Sequence, residues 1–214
     1  MIDTSKKKLS VTIANTLLMV SKTITKMLTN IGMIGAWLSI PLIGIIIFDI
    51  ITLRFLVLGS TKLQEMEWHL HTMIFLLALG FAYTRNAHVR IEVVREKFSL
   101  EVKSWLEILG CVLFLIPYTI MIIYFGLDFV ERSFNLNEVS SALTGLSHRW
   151  IIKSFVPVGM ILLWLGGCAV LLRNIAFIIG LETQNKTLME DSTNLSPELS
   201  SPEPVLENLN NREK

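Results

Sequence analysis

Residues Glu67 to Glu92 read EWHLHTMIFLLALGFAYTRNAHVRIE. The apolar run within them, Trp68 to Thr84, is preceded by acidic side chains at Glu65 and Glu67 and followed by a basic, histidine-bearing segment. As a helix, the residues between Glu67 and Arg85 would rise about 26 Å, close to the hydrocarbon thickness of a bilayer. A soluble core helix would show an apolar stripe instead of a continuous apolar surface. The run therefore predicts a membrane crossing with acid on one side and base on the other.

The composition of the whole chain agrees with this class. Of its 214 residues, 52% are hydrophobic and 17% are charged, and the mean hydropathy is +0.57. These values predict an all-α integral membrane protein. Residues 181–214 hold seven acids and three bases, so residues 1–180 keep 16 bases and 11 acids, a balance of +5. That excess suits anionic lipid headgroups and is too small and scattered to indicate nucleic acid.

The pattern divides the chain into three parts. Residues 1–30 form a basic N-terminal segment, residues 31–181 a four-span membrane domain, and residues 182–214 an acidic tail rich in Ser, Asn, Pro and Glu, which is predicted to be disordered. The spans are predicted at about 31–50, 67–85, 106–128 and 153–174. Eleven Lys and Arg residues fall on one side of these spans and five on the other. The excess places both termini in the cytoplasm.

The N-terminal segment carries an apolar stripe at steps of three and four residues, which is typical of one helical face. The stripe consists of Ile13, Leu17, Val20, Ile24, Met27 and Ile31. Two interpretations stay open. The helix can lie flat as an amphipathic interfacial helix with Lys22 and Lys26 toward the lipid phosphates, or the stripe can pack on a partner helix. Trp150 is predicted to anchor the outer interface.

Several residues are predicted to shape the spans. Small residues that let helices approach closely are Gly32, Gly35, Ala36, Ser39, Ala78, Ala82 and Gly166. Pro41 and Pro117 are expected to kink the first and third spans, and Pro157 is placed in the first turn of the fourth. Ser99 is expected to cap the helix that becomes the third span.

No residue pattern indicates catalysis. The chain lacks a phosphate-binding glycine loop, a nucleophile elbow, an HExxH motif and a cysteine pair at metal spacing, so we expect neither enzyme activity nor a cofactor. Cys111 and Cys168 lie in apolar runs and are interpreted as packing residues. His71 and His148 could lie at the same outer level, which leaves a haem between them geometrically open. Arg54, after the first span, is hypothesised to meet Glu65 or Glu67.

The run Gly59–Val93, GSTKLQEMEWHLHTMIFLLALGFAYTRNAHVRIEV, resembles the small membrane subunit, the Q component, of tripartite ATP-independent periplasmic (TRAP) transporters. The matching features are Arg54 after span one, Gln64-Glu65 before span two, and the block His88-Val89-Arg90-Ile91-Glu92 after it. Glu92 stands where the family usually has aspartate, which keeps the charge and lengthens the reach. Downstream, the E-x-S…G…K run is matched by Glu138, Ser140, Gly145 and Lys153. The similarity spans roughly residues 30–175.

The resemblance implies a multi-pass protein of the bacterial cell inner membrane. Its partners would be a large permease subunit, which carries an organic acid with sodium, and a periplasmic solute-binding protein. The small subunit would act as a helical scaffold with no sodium site of its own. Contacts within the fold or with the partner are expected of Arg54, Glu65, Glu67, His88, Arg90, Glu92, Glu138, Ser140 and Lys153. Residues 138–150 could also touch the binding protein.

Two other functions remain open from the sequence. One is a haem-bearing or quinone-linked membrane anchor subunit, and the other is a self-sufficient small exporter built as a homodimer. Against a transport pathway within this chain, the middle of every predicted span is uncharged, with Asp49, Asp128 and Lys153 at the ends.

Overall fold

The structure is a computed structural model that describes residues 2–56, 59–85, 98–142 and 144–180. Throughout these ranges the regular structure is helical, and no strand occurs. The elements are α1 (Ile2–Trp37), α2 (Ser39–Leu56), α3 (Thr61–Thr84), α4 (Leu100–Gly110), a π-helical segment (Cys111–Leu115), α5 (Ile116–Asn135) and α6 (Trp150–Gly180). The predicted disordered tail lies outside the described residues.

Helices α1 and α2 follow each other with a single break at Leu38. There the N–H of Leu38 bonds the carbonyl of Gly35 at 3.1 Å, a tighter turn than the α-helix makes. Pro41 cannot donate a hydrogen bond to the carbonyl of Trp37, so the regular pattern is interrupted just before it. The sequence-based expectation of an irregularity at Pro41 agrees with this break.

The buried face of α1 differs from the predicted stripe by one position. Ile13 is 43% exposed, whereas Ala14 next to it is 2% exposed and Leu28 is 1% exposed. The buried residues Ala14, Ser21, Leu28, Gly35, Leu42 and Asp49 recur every seven positions through α1 and α2. Helix α1 therefore packs through the face next to the predicted stripe, so the interpretation that the stripe itself packs on a partner helix was wrong. A headgroup position for Lys22 and Lys26 stays a prediction.

Proline also shapes the later helices. The π-helical segment Cys111–Leu115 ends two residues before Pro117. The Thr119 hydroxyl donates to the carbonyls of Leu115 at 2.8 Å and Ile116 at 3.0 Å. Pro157 lies inside α6, because that helix begins at Trp150. The sequence-based placement of Pro157 in the first turn was therefore wrong. The cap at Ser99 is confirmed, since its Oγ accepts from the Val102 N–H at 3.4 Å.

Three helices meet where α1, α3 and α6 cross. A Cβ built on Gly80 of α3 would collide with the carbonyl oxygen of Leu162 and lie 3.0 Å from Leu28 Cδ2. A Cβ on Gly166 would lie 3.1 Å from the Gly80 carbonyl oxygen. The Ser21 hydroxyl adds a buried 2.7 Å bond to the Ala169 carbonyl. Backbone approach of this kind is how helices associate where lipid gives no hydrophobic driving force.

Within the described ranges, three stretches are long and apolar enough to cross a membrane: Thr12–Phe55, Leu100–Asn135 and Trp150–Ile179. Helix α3, which holds the predicted second span, is not among them; Glu67, His69 and His71 lie at the start of its apolar run and lower its hydropathy. The four-span topology therefore stays a prediction. Helix α5 continues to Asn135, past the predicted span end at residue 128, so the loop between α5 and α6 is shorter than expected.

Candidate functional site

The residues that connect α5 to α6, Leu136–Arg149, form a closed loop whose first turn is set by the end of α5. Asn137 adopts the left-handed conformation at φ 45°. Its N–H bonds the Phe134 carbonyl at 3.0 Å, and the Glu138 N–H bonds the Ser133 carbonyl at 3.1 Å. This pair of bonds is the Schellman motif, which ends a helix and satisfies its last carbonyls. The loop therefore leaves α5 in a fixed direction.

Backbone hydrogen bonds join the two sides of this loop. The Ser140 N–H donates to the Leu146 carbonyl at 3.1 Å, and the Arg149 N–H donates to the Glu138 carbonyl at 3.2 Å. At the exit, His148 has φ 62° and starts the turn into α6. Phe134 and Trp150 meet edge to face, with ring centroids 5.3 Å apart. These contacts hold the C-terminal end of α5 close to the N-terminal end of α6.

Glu65 of α3 fastens the middle of the loop. Its Oε1 accepts a hydrogen bond from the Ser140 hydroxyl, and its Oε2 accepts from the Leu146 N–H at 2.6 Å. The side chain is buried, at 8% exposure. The Leu146 N–H and then the Ser140 hydroxyl lower the pKa of the Glu65 carboxyl, and the positive charge of Arg149 acts in the same direction. Glu65 is therefore held as a carboxylate with both oxygens in use.

Gly145 makes this arrangement possible. A Cβ at Gly145 would collide with Ser140 Cβ and Oγ and would come within 2.9 Å of Glu65 Oε1. The hydroxyl of Thr144 next to it lies 3.2 Å from the Thr61 hydroxyl at the start of α3. The loop can approach α3 closely only because position 145 has no side chain.

A second carboxylate, Glu138, pairs with Lys153 in the first turn of α6. The Lys153 ammonium lowers the pKa of the Glu138 carboxyl. Lys153 Nζ also lies 3.9 Å from the centroid of the Phe129 ring, a cation–π contact with α5. This pair ties α6 to α5, whereas Glu65 ties the loop to α3. We call the contacts of Glu65, Glu138, Ser140, Gly145 and Lys153 the outer clasp.

The structure brings together five of the residues singled out in the sequence and leaves others apart. Arg54 is exposed at the end of α2, and within the described ranges it makes no ion pair with Glu65 or Glu67, so that hypothesis was wrong. The Glu67 carbonyl lies 3.0 Å from His71 Nδ1. His88, Arg90 and Glu92 lie outside the described residues.

The predicted packing residues fall into two groups. Gly32 and Gly35 face α3, where an added Cβ would lie 2.7 Å from Phe81 Cβ and 3.0 Å from Leu77 Cβ. Ala36 is exposed, and the Ser39 hydroxyl bonds the Ala36 carbonyl at 2.7 Å. Ala78 and Ala82 are half-buried. Among the contacts missed from the sequence are those of Ser21 with Ala169 and of Phe129 with Lys153, because neither pairing has a local sequence signal.

The contacts of the outer clasp indicate a structural role, because the carboxylates of Glu65 and Glu138 already accept hydrogen bonds from other parts of the chain. Among the residues that the structure describes, no three His, Cys, Asp or Glu side chains cluster as metal ligands. His71 and His148 each contact a neighbour in sequence, the carbonyl of Glu67 and the hydroxyl of Ser147. The clasp fixes α3 and α6 relative to the loop that connects α5 to α6.

The family model described as "Tripartite ATP-independent periplasmic transporters, DctQ component" matches residues 42–177. The matched range covers more than half of the chain and includes the whole outer clasp. This chain belongs to the DctQ family. No curated protein matches it significantly. The resemblance drawn from the sequence is confirmed, and DctQ proteins are transporter components, so the chain is the small permease component of a TRAP system.

Proposed function

We propose that this DctQ chain is a stationary frame for the large permease subunit during sodium-coupled uptake of an organic acid. A periplasmic solute-binding protein would deliver the acid, and the sodium would bind on the large subunit. The family match over residues 42–177 is the observation that carries this proposal. The contacts inside the chain support it, since they fix helices to one another at the outer clasp and at the glycine crossing.

The proposal includes four spans with both termini in the cytoplasm, in the bacterial inner membrane. Helix α3 is the span that lacks enough apolar length at its outer end. It lies against α1 and α6, with Leu70, Leu76 and Gly80 buried. Neighbouring helices thus cover part of its apolar length, and the loop after α5 covers Glu65 at its start. Lys22, Lys26 and Trp150 are the proposed headgroup contacts.

Co-purification and reconstitution test this function. The full chain is co-expressed with the large permease subunit and the binding protein, and sodium-driven uptake into vesicles is compared with and without the chain. We expect a stable complex, uptake only with all three proteins, and no flux with this chain alone. Failure to retain a multi-span partner would contradict the proposal. A Soret band in the purified chain would favour a haem anchor, and flux by the chain alone would favour an exporter.

A further inference from the structure

One row of large side chains on α5 and the π-helical segment points away from the rest of the chain. Phe114, Tyr118, Met121 and Phe125 are all exposed. Their spacing of four, three and four residues places them on one helical face. A different face of the same helix packs inward, where a Cβ on Gly126 would lie 3.5 Å from Pro157 of α6. The row is therefore an outward surface.

Tyr118 puts a hydroxyl in the middle of this surface and of the bilayer. It lies at the centre of the candidate span Leu100–Asn135, and it is 56% exposed. Within the described part of the chain the phenol has no hydrogen-bond partner. Lipid tails offer no acceptor, and an unsatisfied hydroxyl in hydrocarbon is costly. Tyrosines that face lipid usually lie at the interface, where water and headgroups can bond them.

The exposed surface of α2 provides the contrast. Its large exposed residues are Ile, Leu and Phe, the side chains that hydrocarbon accepts without cost. Its two hydroxyls already have acceptors: the Ser39 hydroxyl bonds the Ala36 carbonyl at 2.7 Å, and the Thr52 hydroxyl bonds the carbonyls of Phe48 and Asp49 at 3.0 Å. Lipid can therefore cover the exposed apolar surface of α2 and leave no hydroxyl of that helix without an acceptor. The same cannot be said of the face that contains Tyr118.

The row also has the composition of a protein contact. Aromatic residues and methionine are enriched at the centres of protein interfaces. One turn before Phe114, Gly110 lies on the same face, and a Cβ built there would meet nothing within 4 Å. A partner helix can therefore approach the backbone closely at Gly110 and pack against the large side chains of the row from Phe114 to Phe125.

We propose that this row, Gly110, Phe114, Tyr118, Met121 and Phe125, docks a transmembrane helix of the large permease subunit. That helix supplies the acceptor for the Tyr118 phenol at mid-bilayer depth. The choice of partner rests on the proposed function, and the choice of face rests on the unsatisfied hydroxyl. The α2 surface then faces lipid.

Site-specific photo-cross-linking of the full chain, co-expressed with the large subunit, tests this assignment. The photoreactive residue replaces Tyr118, Met121 or, as a control, Ile43 of α2, whose exposure of 55% matches the 56% of Tyr118. We expect the large subunit as the main product from Tyr118 and Met121, and lipid from Ile43. Lipid, or a second copy of this chain, as the main product from both row positions would overturn the proposal. So would a large-subunit product that arises from Ile43 alone.

The conservative variant Tyr118→Phe isolates the hydroxyl. It should weaken the complex by about 3- to 10-fold, the effect of one hydrogen bond, while the melting temperature of the isolated chain stays that of wild type. An unchanged affinity for the large subunit would show that the Tyr118 hydroxyl does not take part in the contact. The wild-type pull-down separates the two proposals. A retained large subunit with row cross-links only to lipid refutes this surface alone, whereas no retained large subunit refutes the proposed function and this partner with it.

Discussion

At Gly80 the backbone of α3 meets that of α6, whereas at Glu65, about four turns earlier on the same helix, a side chain reaches across to a loop. The first contact consists of backbone and Leu28 methyl groups and uses no charge. The second consists of a carboxylate that accepts two hydrogen bonds. The two contacts differ because their surroundings differ. Close backbone packing stabilises helix pairs in hydrocarbon, where no charge is needed. A buried carboxylate needs hydrogen-bond donors, and the loop supplies them. The crossing should therefore respond to volume, and the clasp to both volume and protonation.

Gly80→Ala gives the largest expected effect. Its new methyl group meets the Leu162 carbonyl, which belongs to a helix backbone and cannot swing aside. We expect a loss of about 2–4 kcal/mol of unfolding free energy, measured by thermal unfolding in detergent. The matched control is Gly44→Ala on α2, where a Cβ meets nothing within 4 Å. Equal melting temperatures for the two variants would show that the crossing is not closely packed.

Gly145→Ala tests whether the clasp also depends on volume. The added methyl group collides with Ser140, and we expect a loss of about 1–3 kcal/mol. The loop should also become accessible to protease, which the Gly80 variant in its folded fraction should not show. Gly59→Ala is the control, since its Cβ would meet only Leu53 Cδ1 at an ordinary 3.6 Å. A protected loop in the Gly145 variant would mean that the loop can shift to make room.

Acidification tests the dependence on protonation. The folded-state pKa of the Glu65 carboxyl is lowered from 4.5. Its stabilisation is thus present above pH 4.5 and is lost as the pH falls through the lowered value. The melting-temperature difference between wild type and Glu65→Gln should be largest near pH 7 and shrink as the pH falls below 4.5. A difference that stays constant from pH 7 through this range would show that the charge of Glu65 does not hold the loop.

Sequence reasoning identified local features more reliably than distant pairings. The cap at Ser99 was found because its partner, Val102, is three residues away. Glu65 and Lys153 stood out as charges at the ends of predicted spans, whereas Glu138, Ser140 and Gly145 were grouped with them only through the family resemblance. The partner of Glu65 was missed because one of its donors is a backbone N–H 81 positions away, and a backbone group leaves no mark in the sequence.

The prediction of the buried face of α1 was wrong for a different physical reason. In a membrane protein both the lipid-facing and the partner-facing surfaces are apolar, so hydrophobicity does not tell which one is inside. The exposed Ile13 belongs to the apolar stripe, whereas the buried Ser21 and Thr25 do not. Small and hydroxylated residues would have been the better signal.

Ser21→Ala has the smallest expected effect and refines the description of the crossing. It removes the bond to the Ala169 carbonyl and should cost about 0.5–1 kcal/mol. Thr23→Ala is the control, because the Thr23 hydroxyl is exposed and bonds only the Met19 carbonyl of its own helix. A loss as large as that of Gly80→Ala would mean that the crossing depends on hydrogen bonding as much as on packing.

The seven-residue recurrence from Ala14 to Asp49 continues through the break at Leu38. Helices α1 and α2 therefore keep a common rotational phase in spite of the interruption. One residue inserted or deleted at the break would rotate everything after it by about 100°. Leu42 would then leave its buried position, and the carboxylate of Asp49 would turn toward hydrocarbon. The number of residues at the break is therefore constrained more tightly than the type of residue at position 38.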